Sequence, residues 1–521
     1  MKTSTISFFI FSLLFLSCTT DGNDAINRKI DRMKEKYPVP VLNKTEMYAD
    51  FDALVSIIER CNPQYLVRKK ATGYDMIAEM KKQRVQVENC NNTLDFIRLL
   101  KYVMSLALDE HCYFGTSVWH YKNSFYKKDV KTSKITKRDF AYTFHYLHDV
   151  FYQNPPKINL IYIQGKYFLR NTSTFFNAKD SVIIPMGSEI TTFNSQPLVV
   201  YMDSIRTYSS RWDFNRKQYY HSVLDISNLE NIIGFKMDGK TIEYAFTKFV
   251  QEKKEWEPFL GSEFHHHWFS KDSILYFRIP SMSYSPQIME QFKEKVLSYR
   301  SKPVKSVIID IRGNTGGNDK VWTGLLGMIY ETPIEYPSYF LSNTDKDVIE
   351  RIQRSEKRLI PETRVLEYID ASHTFRVHEE VIEIIENHEQ NLGYKGTVYL
   401  LVDEDIYSSS GAFASLCTKT DRIKTIGMST GKFGGRGATP SVFILPNSRL
   451  IFTMELLLDA AGVSKAEDFY HDNVNYPITP SINYYKYWYD PNKPYEVDER
   501  AMYEEDEVFK MALEIIKKEN N

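Results

Sequence analysis

Val307-Ile308-Ile309-Asp310-Ile311-Arg312-Gly313-Asn314-Thr315-Gly316-Gly317 is an apolar run that passes straight into a glycine-rich turn. A continuous apolar strand with no polar face is the pattern of one covered on both sides, as in a parallel sheet. Glycines at its end let the backbone take angles closed to other residues and aim its N–H groups at a ligand. Such groups can hold an oxyanion that exists only in a transition state. The same residues alone also describe an ordinary tight strand–helix turn. The spacing fits neither GxxxxGK followed by Ser or Thr nor GxGxxG, so it is not a nucleotide phosphate loop.

Working outward, Ser273–Ile279 reads as a strand and Gln287–Tyr299 as an amphipathic helix with Met289, Phe292 and Val296 on one face. Thr397–Val402 and Ile423–Ile426 are further buried strands. Strands alternating with helices give an α/β core with a largely parallel sheet. The second strand leads into Asp403-Glu404-Asp405-Ile406-Tyr407-Ser408-Ser409-Ser410-Gly411-Ala412-Phe413-Ala414, three serines opening a small-residue helix. A serine there is the preferred helix cap. It is also where a nucleophile gains from exposed N–H groups and the helix dipole. No GxSxG elbow is present, which argues against an α/β-hydrolase. The third strand leads into Gly427-Met428-Ser429-Thr430-Gly431-Lys432-Phe433-Gly434-Gly435. The stretch from Asp319 to about Glu380 reads as an insertion.

Upstream, residues 46–150 form a mostly helical region. Ile97, Leu100, Met104 and Ala107 recur at helical spacing, with Asn91-Asn92-Thr93 as cap residues. His111 continues that face by a step of four and is expected to point inward. Residues 155–250 are strand-like. Within them Ile183 to Pro197 resembles the "PGDEILSINGxPV" core of PDZ domains, with Met186-Gly187 opening a turn, Ile190 and Phe193 in the core and Asn194 in the next turn, Ser195 standing for the usual Gly. That likeness implies a module that pairs a peptide strand with a sheet edge and holds a C-terminal carboxylate.

The chain opens with Met1-Lys2, an apolar run of about 11 residues from Ile6 to Leu16, and Ser17-Cys18. This is too short to span a bilayer, which takes ~20 residues, and reads as a secretory signal. A cysteine directly after a small residue resembles a bacterial lipoprotein signal. That implies lipidation at Cys18 and an exported protein anchored by lipid in the cell envelope or outer membrane, facing the periplasm or the cell surface. Residues 1–18 are then the signal and 19–45 a tether. Cys61, Cys90, Cys112 and Cys417 show no CxxC pairing and no zinc or redox motif, although Cys61 and Cys90 could pair in an exported protein.

Across 521 residues, 66 Lys+Arg against 67 Asp+Glu leave a net charge of −1, which offers no electrostatic footprint for nucleic acid. Hydrophobic residues at 43% and charged residues at 26% exclude a disordered chain. The 36 tyrosines suit half-buried surfaces and clefts. His265-His266-His267 alternate across strand faces and make a poor metal site, and no HExxH occurs. His378-Glu379-Glu380 reads as a solvated helix start, and Glu504–Glu507 as the start of a helix ending near Lys518.

In their order and spacing, the three core segments resemble the tail-specific, or C-terminal processing, serine proteases, including the tricorn-core and interphotoreceptor retinoid-binding protein branches. The family pattern is "IIDLRxNxGG", "LVDxxTxSAAEIFA" and "VIGExTxG", and Leu106 to Cys112 matches its "LxDxHT" segment. The likeness spans about 93–500. It implies a crotonase/ClpP-like α/β peptidase core over 260–500, an N-terminal helical region, the inserted PDZ-like domain and a C-terminal helix at 501–521. It also implies Ser408 as nucleophile, the N–H groups of Ser409 and of Gly316 or Gly317 as oxyanion hole, and no cofactor or metal. One branch uses a lysine base, and Lys432 lies one residue early for it, since position 433 is Phe. The other uses a histidine, matched by His111, which titrates near neutral pH without help. A lysine would need burial to depress its pKa. The substrate implied is a peptide or protein engaged through its C-terminus. Two departures stand out. Gly411 replaces the family's Glu three residues after the nucleophile, and the segment Tyr476 to Ser481 lacks the late Asp, with Asp472 the nearest acid. These keep open a catalytically inactive peptide- or ligand-binding lipoprotein on the same fold, or a carrier of an apolar ligand.

Overall fold

The computed structural model describes residues 32, 35–115, 133–146, 156–226, 230–237, 239–251, 264–355, 361–378, 381–432, 435–471, 474–490 and 497–520. The signal segment with Cys18, most of the tether, Phe433, Gly434 and Asp472 lie outside them. The chain forms two compact units: residues 1–154, 341–379 and 438–458 make the first, and 155–340, 380–437 and 459–521 the second. The 260–500 span is therefore not one compact body, because two of its segments pack with the N-terminal region.

The first unit contains helices Lys44–Cys61, Gln64–Thr72, Met76–Lys82 and Thr93–Ser105, and the last buries Ile97, Leu100 and Met104 as expected, with Ala107 beyond its end. Asn92 caps the last, accepting from Asp95 N. A six-stranded sheet runs Tyr113–Phe114, Ile451–Asp459, Phe340–Asn343, Asp370–His378, Pro361–Leu366, with Gly437–Ile444 paired to Ile451–Asp459. The insertion-like stretch thus supplies strands to this sheet, and helix Lys346–Ser355 besides. His378 is no helix start: it ends a strand and is buried, its Nε2 3.5 Å from Ser342 Oγ. Cys61 and Cys90 are buried free thiols, not a disulfide.

In the second unit, a six-stranded sheet runs His265–Phe269, Ile274–Arg278, Ser306–Asp310, Val398–Val402, Ile423–Gly427, Tyr476–Pro477, with only the first pair antiparallel. The apolar strands alternate between two cores. Val307 and Ile309 face helices Pro286–Ser298 and Lys320–Ile329, whereas Ile308 and Leu401 face helices Ile482–Trp488 and Glu507–Asn520. This two-sided cover is what the unbroken hydrophobic runs required. The β module at 157–251 has its own core, built on a seven-stranded and a three-stranded sheet and helix Leu198–Ser204. Its Asn194-Ser195 turn has φ of 48° and 64°.

Helix Glu507–Asn520 starts later than the acidic run suggested, because Glu504 ends a separate helix and Asp506 is buried. Arg312 explains this. It reaches Asp506 through Nη1 and Nη2 at 2.8 Å each, Asp310 through Nε at 2.9 Å and Nη2 at 2.6 Å, and stacks 4.0 Å from the Trp488 ring. Some of the tyrosine excess finds its use here, since Tyr276 and Tyr484 hydrogen-bond into the same network. The three histidines diverge as alternation demands: His266 meets Tyr299 and His267 meets Glu499. Among the described residues no cluster fits a metal ion, and no helix is long and apolar enough to cross a membrane.

Candidate active site

The strand Val398–Val402 ends in Asp403-Glu404-Asp405, and the chain then turns sharply into helix Ser409–Ser415. Ser408 sits at the turn with φ 55° and ψ −125° and makes no capping hydrogen bond, unlike the ordinary serine cap. A non-glycine residue held at positive φ costs ~1–3 kcal/mol and persists only where its surroundings over-determine it. Those surroundings are specific. Tyr407 N donates to the Asn314 carbonyl at 3.2 Å, and Ser410 Oγ lies against the same carbonyl. Asn314 Nδ2 in turn donates to the Ile279 carbonyl at 2.9 Å.

The glycine-rich turn comes directly against the serine. A Cβ on Gly316, whose φ is 105°, would stand 2.7 Å from Ser408 Cβ, 2.6 Å from the Tyr407 carbonyl and 3.0 Å from Ser409 N. One on Gly317, with φ 144°, would stand 2.4 Å from the Met282 carbonyl. Both positions therefore require glycine. Ser409 opens the helix, so its N–H has no intrahelical acceptor. The Gly316 N–H donates to Asn314 Oδ1 at 2.8 Å. Among the described residues no hydrogen bond engages the Gly317 N–H, which makes Gly317 the better donor of the two. Ser409 Oγ donates to Asp319 Oδ1 at 2.6 Å, tying the two loops together.

In the first unit, His111 does not continue the helical face. Helix Thr93–Ser105 ends earlier, Leu108 takes φ 51°, and Asp109 Oδ1 accepts from His111 N at 3.0 Å in a tight turn. The ring is nonetheless directed inward: its Nδ1 lies 3.1 Å from Glu455 Oε1. Glu455 is buried in strand Ile451–Asp459, where its Oε2 accepts from Gln64 Nε2 at 3.2 Å. Burial alone would lower the His111 pKa, but the Glu455 carboxylate, helped by Asp109 and Glu110, raises it to about 9. Burial pushes the Glu455 carboxyl up, and His111 opposes that.

Residues 273–468 match the model of peptidase family S41. These residues belong to that family. The chain is accordingly a serine peptidase with an α/β peptidase fold. Solved structures of mature CPAF and of mature CPAF complexed with lactacystin are similar, with TM-scores of 0.56 and 0.52 at 12% and 11% identity. The alignments cover 92% and 91% of this chain and 99% of each of theirs, and at this identity they establish the fold. No curated protein matches the chain. Ser408, Ser409, Gly316, Gly317, Lys432 and Glu455 fall inside the S41 segment, and His111 lies outside it.

Lys432 is buried and set over the Tyr407 ring, 5.4 Å from its centroid. Burial raises the Glu404 carboxyl, with Arg211 and to a lesser extent Lys432 opposing it. Burial acts the same way on Asp405, but Arg211 foremost, with Lys432 a minor contributor, holds it at about 2. Gly411 packs closely against the following loop: a Cβ on Gly435 would stand 2.1 Å from the Gly411 carbonyl carbon, so position 435 requires glycine. Glu455 was not foreseen. Its only sequence signal is a lone acid within Ile451-Phe452-Thr453-Met454-Glu455-Leu456-Leu457-Leu458, and a carboxylate in so apolar a strand must find a partner.

Proposed function

We propose that the protein is an endopeptidase of the tail-specific, C-terminal processing type, with Ser408 as nucleophile, His111 as general base and Glu455 orienting the base. His111 takes the Ser408 proton as Oγ attacks the peptide carbonyl. The Ser409 N–H, with that of Gly317 or Gly316, holds the oxyanion. His111 then returns the proton to the departing amine as the C–N bond breaks, and water repeats the sequence to release the acyl-enzyme. The reading rests above all on Ser408, held at positive φ against Gly316 at the start of a helix. His111 is favoured over Lys432 because its Nδ1 is held by a buried carboxylate, which assigns the proton exchange to Nε2. Lys432 instead lies beside acids.

The substrate is an unstructured peptide or protein C-terminus, admitted by a PDZ-like function of the β module at 155–250. The signal-like N-terminus supports an exported protein held to the cell envelope by lipid on Cys18. The near-zero net charge suits recognition by backbone pairing more than by field. Hydrolysis of an unfolded protein substrate tests the function: the wild-type chain cleaves it and Ser408→Ala does not. Equal cleavage by both would refute the reading, and no cleavage by either would favour a binding protein on this fold.

A further inference from the structure

The β module sends a hairpin, Arg211–Asp213 paired with Gln218–Tyr220, onto the peptidase core of the second unit. Arg211 is 2% exposed. Its Nη2 donates to Asp405 Oδ1 at 2.6 Å, and its Nη1 lies 3.4 Å from Glu404 Oε2. Asp405 stands three residues before Ser408. The next residue, Trp212, donates its N–H to the Gly431 carbonyl at 2.9 Å. A Cβ on Gly431, with φ 58°, would stand 3.0 Å from the Trp212 carbonyl oxygen, so hairpin and loop meet backbone to backbone.

From Asp405 the contacts continue toward the other half of the site. Asp405 N donates to Asp403 Oδ1 at 3.0 Å, and the same oxygen accepts from Gly313 N at 2.9 Å, at the head of the glycine-rich turn. One buried cation from the inserted module thus anchors the acidic strand end, which is bonded to the oxyanion turn on one side and runs into the strained serine on the other. A buried ion pair is seldom a net source of stability compared with apolar packing. Among the described residues, Arg211 Nε and Nη1 have no hydrogen-bond partner, so this cation is not optimised for hydrogen-bond count either. What the arrangement does fix is the place where the chain leaves the sheet.

We infer that Arg211 is a positioning residue for Ser408, so that the inserted β module completes the nucleophile turn of the peptidase core instead of serving only to gather substrate. The inference rests on the assignment of Ser408 as nucleophile.

The test is the rate of fluorophosphonate labelling of the full-length chain, with kcat and KM for an unfolded substrate, in wild type, Arg211→Gln, Arg211→Lys, Asp405→Asn and Arg211→Gln combined with Asp405→Asn. A displacement near 1 Å at the nucleophile is expected to slow labelling and kcat by ~100-fold in Arg211→Gln, with KM within about twofold. Arg211→Lys keeps the charge but not the fork, and recovers part of the rate with a normal thermal transition. Should Arg211→Gln not fold, the lysine variant carries the test through a labelling rate at least several-fold below wild type. The double variant, which removes both charges together, loses less than the product of the single losses. Wild-type labelling rates in the arginine variants, or a change confined to KM, would overturn the inference alone. An unlabelled wild type would overturn both it and the nucleophile assignment.

Discussion

Replacing Glu455 by Gln removes the charge that sets the protonation of His111 and leaves the shape almost intact. In the native pair His111 titrates at about 9, against an ordinary 6.5. At 1.36 kcal/mol per pH unit, that corresponds to roughly 3 kcal/mol in favour of the imidazolium. At pH 7 only about one His111 in a hundred is then neutral and able to accept the Ser408 proton. Peptidase kcat/KM in the wild type should therefore climb about tenfold per pH unit from pH 6 to 8 and level off near 9. In Glu455→Gln the acid limb should fall toward 6.5, since burial then acts with less opposition. The plateau should also drop by ~10²–10⁴-fold, because the ring loses the acceptor that fixes its tautomer. Stability should follow the same pair. A raised histidine pKa contributes fully below 6.5 and is lost as pH rises through about 9, so the wild-type Tm should decline between pH 7 and 9.5 more than that of the variant. The measurement is kcat/KM against pH for both proteins. A wild-type limb near 6.5 that Glu455→Gln leaves in place would refute the coupling.

Further outcomes follow from single contacts. Gly316→Ala should cut kcat more than ~100-fold while costing only about 1–3 kcal/mol in chemical denaturation, since its Cβ would press on Ser408. Lys432→Met should keep labelling at pH 9 within about tenfold of wild type, whereas a lysine base would make the loss ~10³-fold or more. Arg312→Met leaves Asp506 buried without its cation and Asp310 with only Arg278, and should cost ~3–5 kcal/mol by urea unfolding. Burial would raise the Asp310 carboxyl, but Arg312 and Arg278 hold it at about 2. Its contribution is therefore present above pH 3.8 and lost as pH falls toward 2, and the acid transition of the wild type should lie in that window.

The second unit was the more legible because its signals are local. A strand covered on both faces must be largely apolar, and Val307–Ile309 and Val398–Val402 show this directly. Glycines 316 and 317 and the triple serine could be placed at strand ends for the same reason. The spacing of the three segments then brought the family into view. What stayed hidden depends on pairing between distant residues. Nothing near His111 in the chain announces Glu455, and Asp472 was simply the nearest acid in sequence to the expected place. The inward direction of His111 was anticipated, but on the wrong structure: helical periodicity was extrapolated past Ser105, where a turn through Leu108 takes over. Likewise His378 beside two glutamates looked solvated, because the strand that buries it belongs to a sheet assembled from three separate stretches of chain. The close approach of the Gly435 and Gly411 backbones is another pairing that no linear reading reveals.

The central claim is that Ser408 is an activated nucleophile. It is tested most directly by treating the wild-type chain and Ser408→Ala with a fluorophosphonate at pH 9 and locating the adduct by peptide mass spectrometry. One adduct on the peptide containing Ser408, absent from the variant, is the expected result. An adduct that persists in Ser408→Ala, or a wild type that stays unmodified while folded, would contradict it.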